Sequence, residues 1–63
     1  MTKELINQTD YANIYGLYDN NGKPIGTMEM RLAGRDCGTY YYSLCGKYNK
    51  KDIRRMFKEA IEK

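Results

Sequence analysis

The 63-residue sequence contains no histidine and no tryptophan, and it has only two cysteines and one proline. The absence of histidine excludes Ser-His and Cys-His nucleophile pairs and the HExxH zinc motif. Two thiols are too few for a closed four-ligand zinc site within one chain. We therefore expect no catalytic residue of these types, no metal site and no cofactor.

Long apolar runs are missing as well. No stretch reaches the roughly 18 apolar residues of a membrane span, and the initial MTKELINQ lacks the apolar segment of a secretion signal. We expect no membrane association and a cytoplasmic location, which is the host cytoplasm for a phage-encoded protein. The spacing of Cys37 and Cys45 allows a disulfide, but a reducing compartment favours free thiols.

The short chain predicts a single domain over residues 1–63 with a small core. A domain of about 60 residues buries only about 60% of the surface that its unfolded chain exposes. Small domains commonly gain stability from disulfides, metals or subunit contacts. Because the first two are not expected here, we predict a homodimer or a tetramer.

Charge is distributed unevenly between the two halves of the chain. Residues 1–30 carry two basic and four acidic side chains, a net charge of −2, and residues 31–63 carry nine basic and four acidic ones, a net charge of +5. The sum is the formal net charge of +3. This asymmetry indicates an anionic partner for the second half, and a solvated helix face explains it equally well.

The clearest predicted element is a C-terminal amphipathic helix over residues 50–62. Asn49 is suited to the N-cap and Asp52 to the reciprocal position of a capping box. An apolar stripe follows at helical spacing, formed by Ile53, Met56, Phe57, Ala60 and Ile61. The stripe predicts that one side of this helix packs on a sheet.

A β-hairpin is predicted around Asn20-Asn21-Gly22, because Gly22 suits the positive φ of a turn. A three-residue loop, which is the preferred alternative, pairs Asp19 with Lys23. It gives a core face of Ala12, Ile14, Met28, Met30 and Leu32, and an outer face of Tyr11, Tyr15, Thr27, Glu29 and Arg31. A two-residue loop would instead turn Tyr15 and Leu17 towards the core.

Residues 39–45, TYYYSLC, predict a further strand. Because side chains alternate, Tyr40, Tyr42 and Leu44 share one face, and Leu44 indicates that this face meets the helix. Tyr41 is then expected to face outward. Residues 1–10 are compatible with a fourth strand or a short helical turn. The predicted fold class is α+β, a three- or four-stranded antiparallel sheet followed by one C-terminal helix packed on one sheet face.

Four carboxylates are available for metal-dependent nicking of DNA, namely Asp10, Asp19, Glu29 and Asp36. Turn formation explains Asp19 and Asp36 better. The sequence therefore favours a binding protein over an enzyme.

A basic helix beside a tyrosine-rich sheet is typical of proteins that bind single-stranded nucleic acid. The predicted contact residues are Arg31, Tyr41, Lys47, Lys50, Lys51, Arg54, Arg55 and Lys58, with Tyr41 stacking on a base. The predicted oligomer interface comprises Tyr11, Tyr15, Met56 and Phe57. Protein interfaces use the same residue types, so direct inhibition of a host enzyme without nucleic-acid contact is the alternative function.

The segment YYSLCGKYNKKDIRRMFKEAI, which runs from a strand through a turn into the helix, resembles the positive-cofactor-four family of transcriptional coactivators. The resemblance covers roughly residues 11–62 in element order and amphipathic pattern. It implies a dimer that associates through the helix and binds single-stranded DNA with curved sheets. The family's basic and aromatic binding residues would correspond to Arg31, Tyr41 and Lys47.

The small size, the tyrosine-rich strands and the missing enzyme motifs also resemble small proteins of phages and mobile elements, among them anti-CRISPR and other anti-defence proteins. This second resemblance implies binding to a host defence nuclease or to its nucleic acid.

Overall fold

The computed structural model describes residues 1–63 and shows an α+β fold. The elements are β1 (Thr2–Gln8), β2 (Ala12–Tyr18), β3 (Pro24–Arg31), β4 (Gly38–Ser43), α1 (Lys50–Glu59) and β5 (Ile61–Glu62). The strands form one sheet in the order β4-β3-β2-β1-β5. All neighbours are antiparallel except β5, which runs parallel to β1. The predicted fold class is confirmed, and the first ten residues supply a strand.

The turn between β2 and β3 has the predicted three-residue loop. The Asp19 N–H donates to the Lys23 carbonyl at 2.9 Å, and Gly22 has a φ of 82°. The Asp19 carboxylate accepts from the backbone N–H groups of Asn21 and Lys23, both at 2.9 Å. Because a side chain at position 22 would be strained in this left-handed conformation, the turn depends on glycine.

A β-bulge directly after this turn overturns the predicted register. Tyr18 opposes Pro24, but Leu17 opposes Gly26, so Ile25 is the extra residue in β3. All later pairs of the hairpin are therefore shifted by one position. Since side chains alternate between faces, a shift of one residue exchanges the two faces of β2.

The observed register divides the sheet into two faces. We call one the helix-covered face, with Tyr15, Leu17, Gly26, Met28 and Tyr41, and the other the open face, with Gly16, Tyr18, Thr27, Glu29, Arg31, Tyr40 and Tyr42. The side assigned to β3 was correct. The sides assigned to β2 and β4 were wrong, and Ala12 and Ile14 lie opposite Arg31 and Glu29 instead of facing the helix.

The core lies between α1 and the helix-covered face. Its six buried apolar residues are Leu17, Ile25, Ile53, Met56, Phe57 and Ala60. A Cβ atom on Gly26 would lie 2.8 Å from Cδ1 of Ile53, so this glycine lets the helix approach the sheet closely. Leu32 and Leu44 were predicted in the core but are 54% and 55% exposed, because each follows the end of its strand.

The start of α1 agrees with the prediction and its end does not. The Asp52 N–H donates to Asn49 Oδ1 at 2.9 Å, and the Asn49 N–H donates to Asp52 Oδ2 at 3.2 Å, which completes a capping box. The helix ends at Glu59, and Ile61 enters β5 with its N–H donating to the Met1 carbonyl at 3.2 Å. Ile61 is consequently 72% exposed instead of packed in the stripe. The helix is too short and too polar to span a bilayer.

Candidate functional site

A groove of about 360 Å³ lies between the edge strand β4 and the beginning of α1. Residues 39–42 line one side of it, and Lys50, Lys51 and Arg54 line the other. The six-residue connection from Ser43 to Lys50 brings the first turns of the helix back over β4. The groove therefore unites three of the predicted basic residues with the tyrosine-rich strand.

The three cations of the groove are electrostatically uncompensated. Lys50, Lys51 and Arg54 are exposed, and none of them forms an ion pair with a carboxylate. Their neighbour Arg55 does, with Nη2 at 3.6 Å from Asp52 Oδ1. Lys58 is exposed on the same helix but outside the groove. The predicted basic helix therefore presents a defined cluster of three free positive charges at its N-terminal end.

Arg31 lies on the open face and does not line the groove. Its Nε is 3.4 Å from Glu29 Oε2, its Nη1 is 3.7 Å from Asp36 Oδ2, and its Cζ lies 4.7 Å from the centroid of the Tyr40 ring. The hydrogen bond to Glu29 and the negative charge of Glu29 raise the pKa of Arg31 above its ordinary value. Because two carboxylates already neutralise this guanidinium, it is a weaker candidate for a phosphate contact than the sequence indicated.

Lys47 lies at a second, separate cavity of about 300 Å³. That cavity is lined by Asp19, Lys23, Ile25, Cys45, Lys47 and Tyr48, and Nζ of Lys47 is 5.6 Å from the centroid of the Tyr48 ring. Asp19 supplies a negative charge there. Both cysteines are free thiols. The structure therefore does not bring Lys47 together with the cations of the groove.

Tyr41 does not face outward, and this prediction was wrong. Its ring packs against the core with its centroid 6.1 Å from that of Phe57, at an interplanar angle of 50°. The sequence contains no pattern that indicates the bulge at Ile25. The sides of β4 were assigned from Leu44, which lies beyond the end of the strand.

Tyr42 is the aromatic residue of the groove that sequence reasoning overlooked. Its side chain is 41% exposed, and its hydroxyl donates to Glu29 Oε1 at 3.3 Å. The neighbouring Tyr40 donates its hydroxyl to the Asp36 carbonyl at 2.7 Å. Strict alternation along β4 placed Tyr40 and Tyr42 together, so the correct register alone would have identified them.

The predicted oligomer interface needs correction. Met56 and Phe57 are only 8% and 3% exposed, because the apolar stripe of the helix packs on the sheet of the same chain. Tyr15 is half-buried against the same core. Tyr11 is 72% exposed and is the one member of the predicted set that is free to meet a partner. The homodimer or tetramer itself stays a prediction.

The carboxylates considered for metal-dependent chemistry do not form one cluster. Asp19 binds the turn between β2 and β3, whereas Glu29 and Asp36 flank Arg31. No three carboxylate or thiol side chains lie together in an arrangement that holds a metal ion. The candidate site that the structure offers is the basic groove.

A comparison of the chain with protein-family models, with curated proteins and with solved structures finds no match in any of the three. The resemblances to single-stranded-DNA-binding coactivators and to anti-defence proteins stay predictions.

Proposed function

We propose that the protein binds single-stranded nucleic acid in the groove between β4 and α1. The observation that carries the proposal is the meeting of Lys50, Lys51 and Arg54, none of them ion-paired, with the tyrosine-rich strand in one groove. Proteins that bind single strands without strong sequence preference combine a positive channel for the backbone with aromatic rings for the bases. Both components meet at the β4 edge, with the cations on the helix side and the Tyr40 and Tyr42 rings on the open face.

Different parts of the ligand suit the two walls of the groove. Phosphates lie along the helix, where the ammonium and guanidinium groups are free of carboxylate partners. The bases reach over the β4 edge to Tyr42, whose ring lies on the open face and which is the most exposed of the three tyrosines that line the groove. Unpaired bases can stack on such rings, whereas the bases of a duplex are already stacked on one another.

Salt dependence tests the phosphate contacts. A fluorescent oligothymidylate titrated with the protein at several salt concentrations should give a log–log slope of about −2, since each of three contacts on a single strand contributes about −0.7. Absence of binding at low salt would remove the proposal.

A matched pair of variants tests whether the groove, and not the general charge of the helix, is responsible. K50Q/R54Q and R55Q/K58Q each remove two positive charges from α1, but only the first pair lines the groove. We expect the slope to fall to about −0.7 for K50Q/R54Q, because one cation remains, and to stay near −2 for R55Q/K58Q. Equal losses would indicate diffuse attraction to the helix instead of a site.

Tyr42 tests the stacking. Tyr42→Ala should weaken binding of the oligothymidylate by about 1–3 kcal/mol, the usual contribution of a base stacked on an aromatic ring. Tyr42→Phe keeps the ring and should bind like the original protein. A loss of similar size in both variants would assign the effect to the hydroxyl and its bond to Glu29.

A further inference from the structure

The outer edge of β4 carries backbone groups without partners in the sheet. The Leu44 N–H donates to the Ile25 carbonyl at 3.1 Å. The residues of β4 that bond to β3 are therefore those two and four positions before Leu44, namely Tyr42 and Tyr40. Bonded and non-bonded pairs alternate in an antiparallel ladder. Thr39, Tyr41 and Ser43 therefore direct their N–H and C=O groups away from β3, towards a side where the sheet has no further strand.

This edge lacks the features that usually protect an exposed strand. β4 pairs with β3 over six consecutive positions without a register shift, and its sequence GTYYYS contains no charge and no proline. Natural edges are commonly blocked by charges, prolines, bulges or short length. The opposite edge shows one of these, because β5 has only two residues. The β4 edge is thus available for strand addition.

The cations of the groove favour a negatively charged strand at the β4 edge. Thr39 and Tyr41 line the same groove as Lys50, Lys51 and Arg54. A strand added at this edge would present every second side chain to these cations and the intervening ones beside Tyr40 and Tyr42. Acidic residues at alternate positions complement the first set, and β-branched or aromatic residues suit the second.

We propose that the β4 edge binds an extended acidic peptide segment of a partner protein by antiparallel strand addition. Main-chain hydrogen bonds to Thr39, Tyr41 and Ser43 hold the segment, and its carboxylates pair with the cations of the groove. The proposal does not depend on nucleic-acid binding. It does imply that such a peptide and an oligonucleotide compete for the same cations.

Charge argues for this occupant over a second copy of the chain. Antiparallel pairing of two β4 edges about a twofold axis would place both helices on the same side of the joined sheet. The two sets of Lys50, Lys51 and Arg54 would then face each other across the seam with no carboxylate in either groove. Like charges at close range oppose that arrangement, whereas an acidic strand neutralises the groove.

A synthetic peptide of alternating valine and glutamate, capped at both ends and fluorescently labelled, is the probe. In antiparallel addition with glutamates in the groove, the amides of the glutamates face β4 and those of the valines face solvent. We expect N-methylation of the glutamates to weaken binding about tenfold or more, as loss of several main-chain bonds requires, and N-methylation of the valines to have little effect. Equal affinity of the two methylated peptides would overturn strand addition, and so would failure of the unmodified peptide to bind.

Amide hydrogen exchange on the full chain locates the peptide. Without peptide, the amides of Thr39, Tyr41 and Ser43 should exchange fast while those of Tyr40 and Tyr42 are protected by β3. Addition of peptide should protect the first three, and K50Q/R54Q should lose this protection while R55Q/K58Q keeps it. Protection of these three amides without peptide, together with a doubled mass by light scattering, would assign the edge to a second copy and overturn the proposal.

Discussion

The two faces of the sheet use similar residues for different purposes. On the helix-covered face, Tyr41 packs against Phe57, and Leu17 is fully buried under the helix. On the open face, Tyr40 and Tyr42 carry no second layer, and their hydroxyls donate to Asp36 and Glu29. Tyrosines that are adjacent in the chain thus contribute to the core or to the surface according to the side on which each lies.

Burial under the helix, and not residue type, therefore decides how strongly a substitution lowers the stability of the fold. A side chain removed from the helix-covered face leaves a cavity or an uncovered partner. A side chain removed from the open face leaves a site that water can fill. Substitutions in matched pairs across the sheet should therefore lower the free energy of unfolding by unequal amounts.

Phe57→Ala should have the largest effect. Phe57 is 3% exposed in the centre of the core, and truncation of a buried phenylalanine typically costs about 3–5 kcal/mol. A small domain has little more stability than this, so we expect the variant to be largely unfolded by circular dichroism. Lys58→Ala, one residue further on the exposed side of α1, is the control and should denature in urea like the original protein. A cooperative transition of Phe57→Ala at the original midpoint would contradict the packing described here.

Gly26→Ala and Gly16→Ala compare glycines on the two faces. A Cβ at position 26 would lie 2.8 Å from Ile53 Cδ1 and 3.0 Å from the Tyr42 carbonyl oxygen, whereas one at position 16 would meet the movable ring of Tyr18. We expect Gly26→Ala to cost about 1–3 kcal/mol through overpacking. Gly16→Ala should be nearly neutral, because the alanine also restricts the unfolded chain by about 0.4–1 kcal/mol. Urea titration of both variants measures the contrast, and equal costs would dispute the close approach of the helix at Gly26.

Tyr41→Ala and Tyr42→Ala compare neighbouring rings on the two faces. Loss of the half-buried Tyr41 ring should lower the free energy of unfolding by about 1–2 kcal/mol. Tyr42→Ala should change it by about 0.5 kcal/mol or less, as is usual for exposed positions. Thermal denaturation followed by circular dichroism distinguishes them. A reversed order would restore the register originally predicted for β4.

Asn49→Ala tests the N-cap of α1, the helix that covers one face of the sheet. The substitution removes the side chain that accepts the Asp52 N–H, and loss of such an N-cap typically costs about 1 kcal/mol. Asn49→Asp retains an acceptor at the same place and should keep most of the stability. Urea midpoints of the two variants give the comparison, and an equal loss in both would mean that the cap contributes through the amide and not through its acceptor oxygen.

Local chemistry made several parts of the molecule predictable. The Asn20-Asn21-Gly22 loop formed because glycine tolerates a positive φ, and the capping box formed because Asn49 and Asp52 have suitable side chains at the right spacing. The spacing of Ile53, Met56 and Phe57 likewise predicted which side of α1 is buried. In the candidate site, Lys50, Lys51 and Arg54 were among the predicted contact residues, although the sequence did not separate them from Arg31 and Lys47.

The helix end and the membership of the core depended on contacts between distant residues. The stripe continues to Ile61, so nothing in the local sequence stops the helix at Glu59. The chain leaves the helix there because residues 61–63 pair with the free side of β1, with Ile61 donating to Met1 and Lys63 donating to Lys3. Pairing across such a distance depends on where the rest of the sheet lies, which a local pattern does not contain.

Local sequence patterns were enough to predict the turn, the start of the helix and the apolar stripe, because each depends on residues close together in the chain. The concentration of positive charge in the second half follows from composition alone. The face that each tyrosine occupies depends instead on packing between distant parts of the chain. One extra residue at Ile25 reverses the sides of β2, since side chains in a strand alternate with a period of two. The bulge places Ile25 and Gly26 beneath Ile53, and that packing, made across 27 residues of chain, selects the register.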